Sequence, residues 1–293
     1  MNPFLLALVQ AGIITQADAE RMNRSLDPDA ARAWAEQQLA IAMQNGLSAQ
    51  QTRLVDMVRR TNGNLSPAAL DAFWRAEDAR LYSAIVGTLD NIATERAISM
   101  VVSAGGDTST WQHVNQAVLD WMHGYYTSPD PQFVGSVPNL NQTSRQQVAD
   151  AYGRWARGEL EGRRGLPDLV RVLADPNVFG PARATTIAVT ESTRIHAEAT
   201  HAAAMADPDI EYQRYKCSAD DKVCGYCGPL HNQTVPKGEP FIHPSLGAIN
   251  GPPLHPRCRC AVNNLTGPAA RQAIAPEDRY TYEGDLPQRR VTP

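Results

Sequence analysis

The chain has 293 residues, 43% of them hydrophobic, and a formal net charge of −4. That length supports two modest domains with real cores, and the charge excludes a protein that coats nucleic acid over its whole surface. The apolar run Phe4–Val9 lacks a basic flank and is too short for a signal peptide, and no stretch reaches the roughly 18 apolar residues that a membrane span needs, so a reducing cytoplasm is expected for the newly made chain.

Residues 1–126 read as helices. Asp27-Pro28 sets an N-cap before a proline at the first helical position, and Gly46 reads as the end of that helix. Ser48 then caps a second helix running towards Asn62-Gly63. Ser66-Pro67 opens a long one, in which Leu70, Trp74, Leu81, Ile85, Leu89, Ile92 and Val101 keep a helical period as far as Gly105-Gly106. At 1.5 Å per residue it spans about 50 Å. Thr108 caps a helix through Trp111, Val114, Val118, Trp121 and Met122, whose large side chains read as core or interface packing.

The stretch from Thr127 to Gln142 holds Pro129, Pro131 and Pro138 and reads as a domain boundary or extended arm. Thr143-Ser144 then caps a further helix. Gly158 to Gly165 reads as a turn, Pro167 starts a short helix that Pro176 ends, and Gly180-Pro181 starts a long one that stops before Pro208. Ile210 to Tyr215 alternates as a strand does, and Cys260-Ala261-Val262 is its candidate return strand. The tail after Gly267 is polar and proline-bearing and reads as extended.

All five cysteines lie between Cys217 and Cys260. Cys224-x-x-Cys227 is one tight pair. Cys258-x-Cys260 is another, with His255 three residues before Cys258. Two short-spaced clusters of soft ligands joined by an irregular loop are what a tetrahedral structural zinc site needs. The preferred ligands are Cys224, Cys227, His255 and Cys258, because H-x-x-C mirrors the first half-site. Cys260 in place of His255 is the alternative, since alternate residues of an extended chain share a face. Cys217 is the odd one out and is not expected to be a ligand. Free thiols or two disulfides are the competing readings, and a reducing compartment disfavours disulfides.

Other polar clusters invite an enzymatic reading. His231-Asn232, His243 and Asp220-Asp221 surround the cysteines and suggest a zinc-stapled nuclease or a prophage-derived toxin domain. No helix follows a histidine to complete such a site, so His231 and His243 read as turn or surface residues. Glu191 and Arg194, at i and i+3 on a helix, read as an ion pair docking that helix on the cysteine segment. Residues 210–262 carry six basic and four acidic side chains, a net +2 that supports only auxiliary contact with phosphate. There is no phosphate-binding glycine loop and no serine nucleophile elbow.

Four segments in this order resemble the phage Mu F-like head morphogenesis proteins. They are Val137-Pro138-Asn139-Leu140-Asn141-Gln142-Thr143-Ser144, Ile187-Ala188-Val189-Thr190-Glu191-Ser192-Thr193-Arg194, Asp221-Lys222-Val223-Cys224-Gly225-Tyr226-Cys227, and Pro252 through Cys260. Together with the helical and tail patterns above, the resemblance implies a mainly α protein: a helical N-terminal region over 1–135, a small α+β Mu F-like domain with a zinc knuckle over 136–266, and an extended tail over 267–293. It further implies a non-enzymatic minor capsid protein of the virion, acting in procapsid assembly at the portal vertex or inner capsid surface after synthesis in the host cytoplasm. Its implied partners are the portal protein, the major capsid or scaffold protein, and packaged DNA, whose packaging or ejection it would aid. Relatives vary at Cys260, which favours His255 with Cys258.

Overall fold

A computed structural model of the chain describes residues 1–24, 26–159, 165–217 and 224–267. In order the elements are α1 (Pro3–Gln10), α2 (Gln16–Arg24), α3 (Pro28–Arg60), α4 (Pro67–Ser103), α5 (Thr108–Thr127), α6 (Val137–Ala156), α7 (Leu166–Leu173), α8 (Pro176–Phe179) and α9 (Pro181–Ala206). Strands β1 (Ile210–Lys216), β2 (Thr234–Pro236), β3 (Phe241–His243), β4 (Gly247–Ile249) and β5 (Ala261–Thr266) follow. The protein is thus mainly α with a small antiparallel part, as expected.

The chain folds into two compact units, and neither is a single stretch of sequence. One gathers Met1–Arg32, Ile92–Leu119 and Val189 onwards; the other gathers Ala33–Asn91 and Asp120–Ala188. The boundary expected near residue 135 falls inside the second of these. The expected turn between Gly158 and Gly165, the Asp220-Asp221 turn and the tail after Gly267 lie wholly or partly outside the described residues.

The purely helical unit is built on the antiparallel turn between α3 and α4. The sequence suggests a break at Gly46, yet α3 runs through it without interruption. Gly46 is there for closeness: a Cβ at that position would meet Leu81 Cδ1 at 2.6 Å. The true reversal comes at Asn62-Gly63, both with positive φ, as αL positions after a helix require. Leu54, Val58, Trp74, Val148, Leu169, Leu173 and Phe179 make its core. Glu77 is fully buried and carries Arg53 and Arg80 on its two oxygens, at 2.6 and 2.8 Å. Gln50, Asn141 and Asp78 form a chain of side-chain hydrogen bonds at 2.9 and 2.8 Å. Buried polar groups are tolerated when they are paired in this way.

In that same unit the expected arm ends early. Helix α6 starts at Val137, not after Ser144, with Pro138 in its first turn, where a missing N–H costs nothing. Ser144 sits inside the helix and is buried. Trp74 here and Trp111 in the other unit are both buried, as packing residues. In the other unit, the cap of α5 is Asp107, one residue before Thr108: its carboxylate accepts from the Thr110 N–H at 2.8 Å, and this bond holds its carboxyl below the usual range.

The mixed unit carries the sheet, in the order β2-β1-β5, with every pair antiparallel. β1 is central, and β5 is the return strand foreseen at Cys260–Val262. The register slips between Ile210 and Tyr212, a bulge that resets the alternation. Beyond it Gln213, Tyr215 and Cys217 all face inward. Helix α9 covers the sheet: Gln213 bonds His201 Nδ1 and Asn264, and Asn264 donates to the Thr200 carbonyl. Lys237 donates to the Ala204 and Asp207 carbonyls at 3.2 and 2.8 Å, placing a cation at the negative end of α9. Among the described residues no helix is long and apolar enough to cross a membrane.

Candidate metal centre

Two short turns build the site, and they are alike. In Cys224-Gly225-Tyr226-Cys227 the Cys227 N–H donates to the Cys224 carbonyl at 3.1 Å; in His255-Pro256-Arg257-Cys258 the Cys258 N–H donates to the His255 carbonyl at the same 3.1 Å. Each turn brings its first and fourth side chains to one side. Gly228–Leu230 follows the first turn as a 3₁₀ turn, and Arg257 takes a positive φ of 61° in the second.

The turns converge. His255 Nε2 lies 3.1 Å from Cys224 Sγ and 3.3 Å from Cys227 Sγ, and Cys227 Sγ lies 3.8 Å from Cys258 Sγ. Two overlapping sets could hold a metal ion: Cys224, Cys227 and His255, and Cys227, Cys258 and Cys260, with ligand atoms within 4.8 Å of one another in each. Cys227 belongs to both. All four preferred ligands and the alternate Cys260 are therefore in one cluster, and none of the five cysteines is paired in a disulfide.

The imidazole is already oriented as a ligand. His255 Nδ1 lies 2.8 Å from the Pro256 carbonyl, an acceptor only, so Nδ1 carries a proton and Nε2, which faces the sulfurs, is the atom left to ligate. With no cation bound, the sulfurs favour a protonated ring: Cys258, foremost, pushes His255 up to about 9, so a metal would have to displace the Nε2 proton. Cys258 and Cys260, with burial, push the Cys227 thiol up, and hydrogen bonds from Cys217, Cys227 and Cys258 hold the Cys260 thiol down. One thiolate is thus accommodated by its neighbours, while a second negative charge is resisted. A bound cation would remove that resistance, and thiolate–imidazole donors suit a soft, tetrahedral one.

Cys217, set aside in the sequence, is part of the same small core. It is buried, its thiol donates to the Cys227 carbonyl at 3.2 Å, and its N–H donates to His231 Nδ1 at 3.1 Å. Around the sulfurs pack Tyr215, Leu230, Phe241 and Val262, with Tyr215 and Phe241 edge to face at 5.5 Å. That apolar set is small, so metal ligation here would be folding energy.

Helix α9 holds the second turn. Thr193 Oγ1 donates to the Cys258 carbonyl at 2.7 Å, and the Arg257 N–H donates to Thr190 Oγ1 at 2.9 Å. Arg32 adds two bonds, to the Arg259 carbonyl at 3.0 Å and to Thr193 Oγ1 at 3.1 Å. The expected Glu191–Arg194 pair forms at 2.9 Å along the helix, and the threonines beside it reach the loop. Their i, i+3 spacing was a readable signal; Arg32, more than two hundred residues from Arg259, offered none.

The histidines of the nuclease reading have structural work. His243 is buried, lies 2.9 Å from the Tyr226 carbonyl through Nε2, and accepts from the Ser245 and Leu246 N–H groups at Nδ1. His231 accepts from the Cys217 backbone.

Residues 160–263 match the family model described as Phage Mu protein F like protein. Over that stretch the chain is similar to the Mu F-like family. The matched stretch contains both cysteine-bearing turns and all of α9. The Val137–Ser144 segment lies outside it. No curated relative and no solved structure matches the chain.

Proposed function

We propose that this Mu F-like protein is a non-enzymatic minor head protein, incorporated at the portal vertex or inner capsid surface during procapsid assembly, with the cysteine–histidine knuckle as a zinc-stapled structural element. The observation that carries it is the Mu F-like match over a segment whose donor groups are arranged to hold a metal and whose histidines are otherwise committed to backbone contacts. The portal protein is the foremost partner, with capsid or scaffold protein and packaged DNA as further ones. Zinc fits because three thiolates with one imidazole, or four thiolates, are among its usual structural sets. The residues to hold it are Cys224, Cys227 and Cys258, with His255 or Cys260 as the fourth.

Heads assembled with and without portal, compared by mass spectrometry, test the placement. The full chain should be present in few copies in the first and missing from the second. Equal incorporation into portal-less heads would overturn the portal assignment. Duplex and single-stranded DNA should stay intact with the purified protein and magnesium, manganese or zinc; cleavage lost in His231→Ala would favour the nuclease reading.

A further inference from the structure

Beside the knuckle, within the same unit, lies a pocket of about 150 Å³. Arg32 at the start of α3, Arg96 on α4, and Ser192, Thr193 and His196 on α9 line it. Cys260 lines it too, but its sulfur is engaged by Cys217, Cys227 and Cys258. Asp29 is the acidic side chain in this lining, and it is exposed. Arg96, Ser192 and Thr193 are each at most 3% exposed.

Two features of this pocket call for a ligand. The Nδ1 atom of His196 is buried and has no hydrogen-bond partner, a state native proteins rarely leave uncorrected. Two guanidinium groups also stand close to it: burial, then Arg96 and Arg32, push His196 down to about 3. His196 is therefore a neutral imidazole that can donate from Nδ1. Donors thus approach from three separate helices. A planar carboxylate is satisfied by one guanidinium fork, whereas a tetrahedral oxyanion accepts from several directions. The size agrees, since a cavity of about 150 Å³ takes a molecule as large as benzene, and phosphate has fewer heavy atoms.

We propose that this pocket binds one phosphate group, held by Arg32, Arg96 and the Nδ1–H of His196. The volume admits the phosphate and not a nucleoside with it, so the group is either free phosphate or the terminal phosphate of a nucleic-acid strand. The proposal goes beyond the head-protein reading and does not depend on it.

Titration of the full-length, metal-loaded chain with inorganic phosphate by calorimetry tests it, with circular dichroism to confirm that each variant folds. Saturable binding of one phosphate per chain is expected, at least tenfold weaker in Arg96→Met and lost in His196→Phe, which keeps the ring and removes the donor. Should Arg96→Met fail to fold, His196→Phe decides alone. Competition by a 5′-phosphorylated oligonucleotide, but not by its unphosphorylated form, supports a strand end as the source; competition by neither supports free phosphate. No saturable binding by the folded wild type, or undiminished binding in the folded variants, overturns the proposal.

Discussion

Thr193 on α9 donates its hydroxyl hydrogen to the carbonyl oxygen of Cys258 across 2.7 Å, joining a helix to the His255–Cys258 turn 65 residues further on. The same oxygen of Thr193 accepts from Arg32. Both the acceptor and the hydroxyl are buried, so removing the hydroxyl strands two partners. Thr193→Val should destabilise the sheet-bearing unit by about 1–3 kcal/mol. Thr193→Ser, which keeps the donor, should cost well under half as much. Urea unfolding of the metal-loaded protein, followed by tyrosine fluorescence, measures both. Equal effects would show that the methyl group, not the hydrogen bond, is what matters.

The cysteines should not be equivalent. Cys227 belongs to both candidate ligand sets, so Cys227→Ser should abolish stoichiometric zinc and unfold the sheet-bearing unit. Cys224→Ser and Cys258→Ser should do nearly as much. The fourth ligand is settled by comparing His255→Ala with Cys260→Ser in a competition against a chromogenic chelator, where the true ligand's loss should weaken binding by orders of magnitude. Structural zinc contributes about 10–16 kcal/mol in isolated zinc fingers, as much as or more than a whole domain's margin of about 5–15 kcal/mol. Chelation alone should therefore unfold the sheet. The sequence alone suggests that Cys217→Ser is silent. Its buried thiol donates to the Cys227 carbonyl, so Cys217→Ala, which removes that donor, should lose about 1 kcal/mol with zinc retained.

Acid should act through His196. Burial, then Arg96 and Arg32, lower this group from 6.5 to about 3. Between those values the unfolded chain binds more protons than the folded one, so stability rises with pH. The contribution is complete above the unfolded value and is lost as pH falls, on the order of 3 kcal/mol by about pH 4 at 1.36 kcal/mol per unit. His196→Phe should flatten this part of the profile. The difference between wild-type and variant urea midpoints, in phosphate-free buffer from about pH 4 to 7, isolates it from the titration of the metal ligands. Parallel profiles would contradict the assignment.

Local chemistry in the sequence carried further than tertiary arrangement. The cysteine and histidine spacing was legible because each ligand pair is set by a turn of four residues, and the turn's geometry is local. Strands β1 and β5 were legible from alternation and from the cysteines they flank. The interleaving of two units was not, because it depends on where α3, α4, α5 and α9 are shared between cores, and no residue marks that. Nor was the role of Arg32, which docks the second turn from the far end of the chain. The pocket at His196 was invisible for the same reason, as its walls come from three distant helices.

Glycine gave the most misleading local signal, and it provides a paired test. Gly46 reads as a helix stop, yet α3 continues through it and Leu81 fills the space where a Cβ would be, at 2.6 Å. Alanine there gains about 1 kcal/mol of helix propensity, but Leu81 is 2% exposed and has little room to retreat. Overpacking a buried contact costs about 1–3 kcal/mol, so Gly46→Ala should be net destabilising, by about 1 kcal/mol. Gly87 in α4 is the opposite case: it is exposed, and a Cβ there meets nothing within 4 Å. Gly87→Ala should therefore stabilise by up to about 1 kcal/mol. The clash explanation makes one further demand, that shortening Leu81 to alanine relieve it. In a thermodynamic cycle Gly46→Ala should cost less, or become favourable, in the Leu81→Ala background. An unchanged cost would place the penalty in the backbone of α3 and not in its contact with α4.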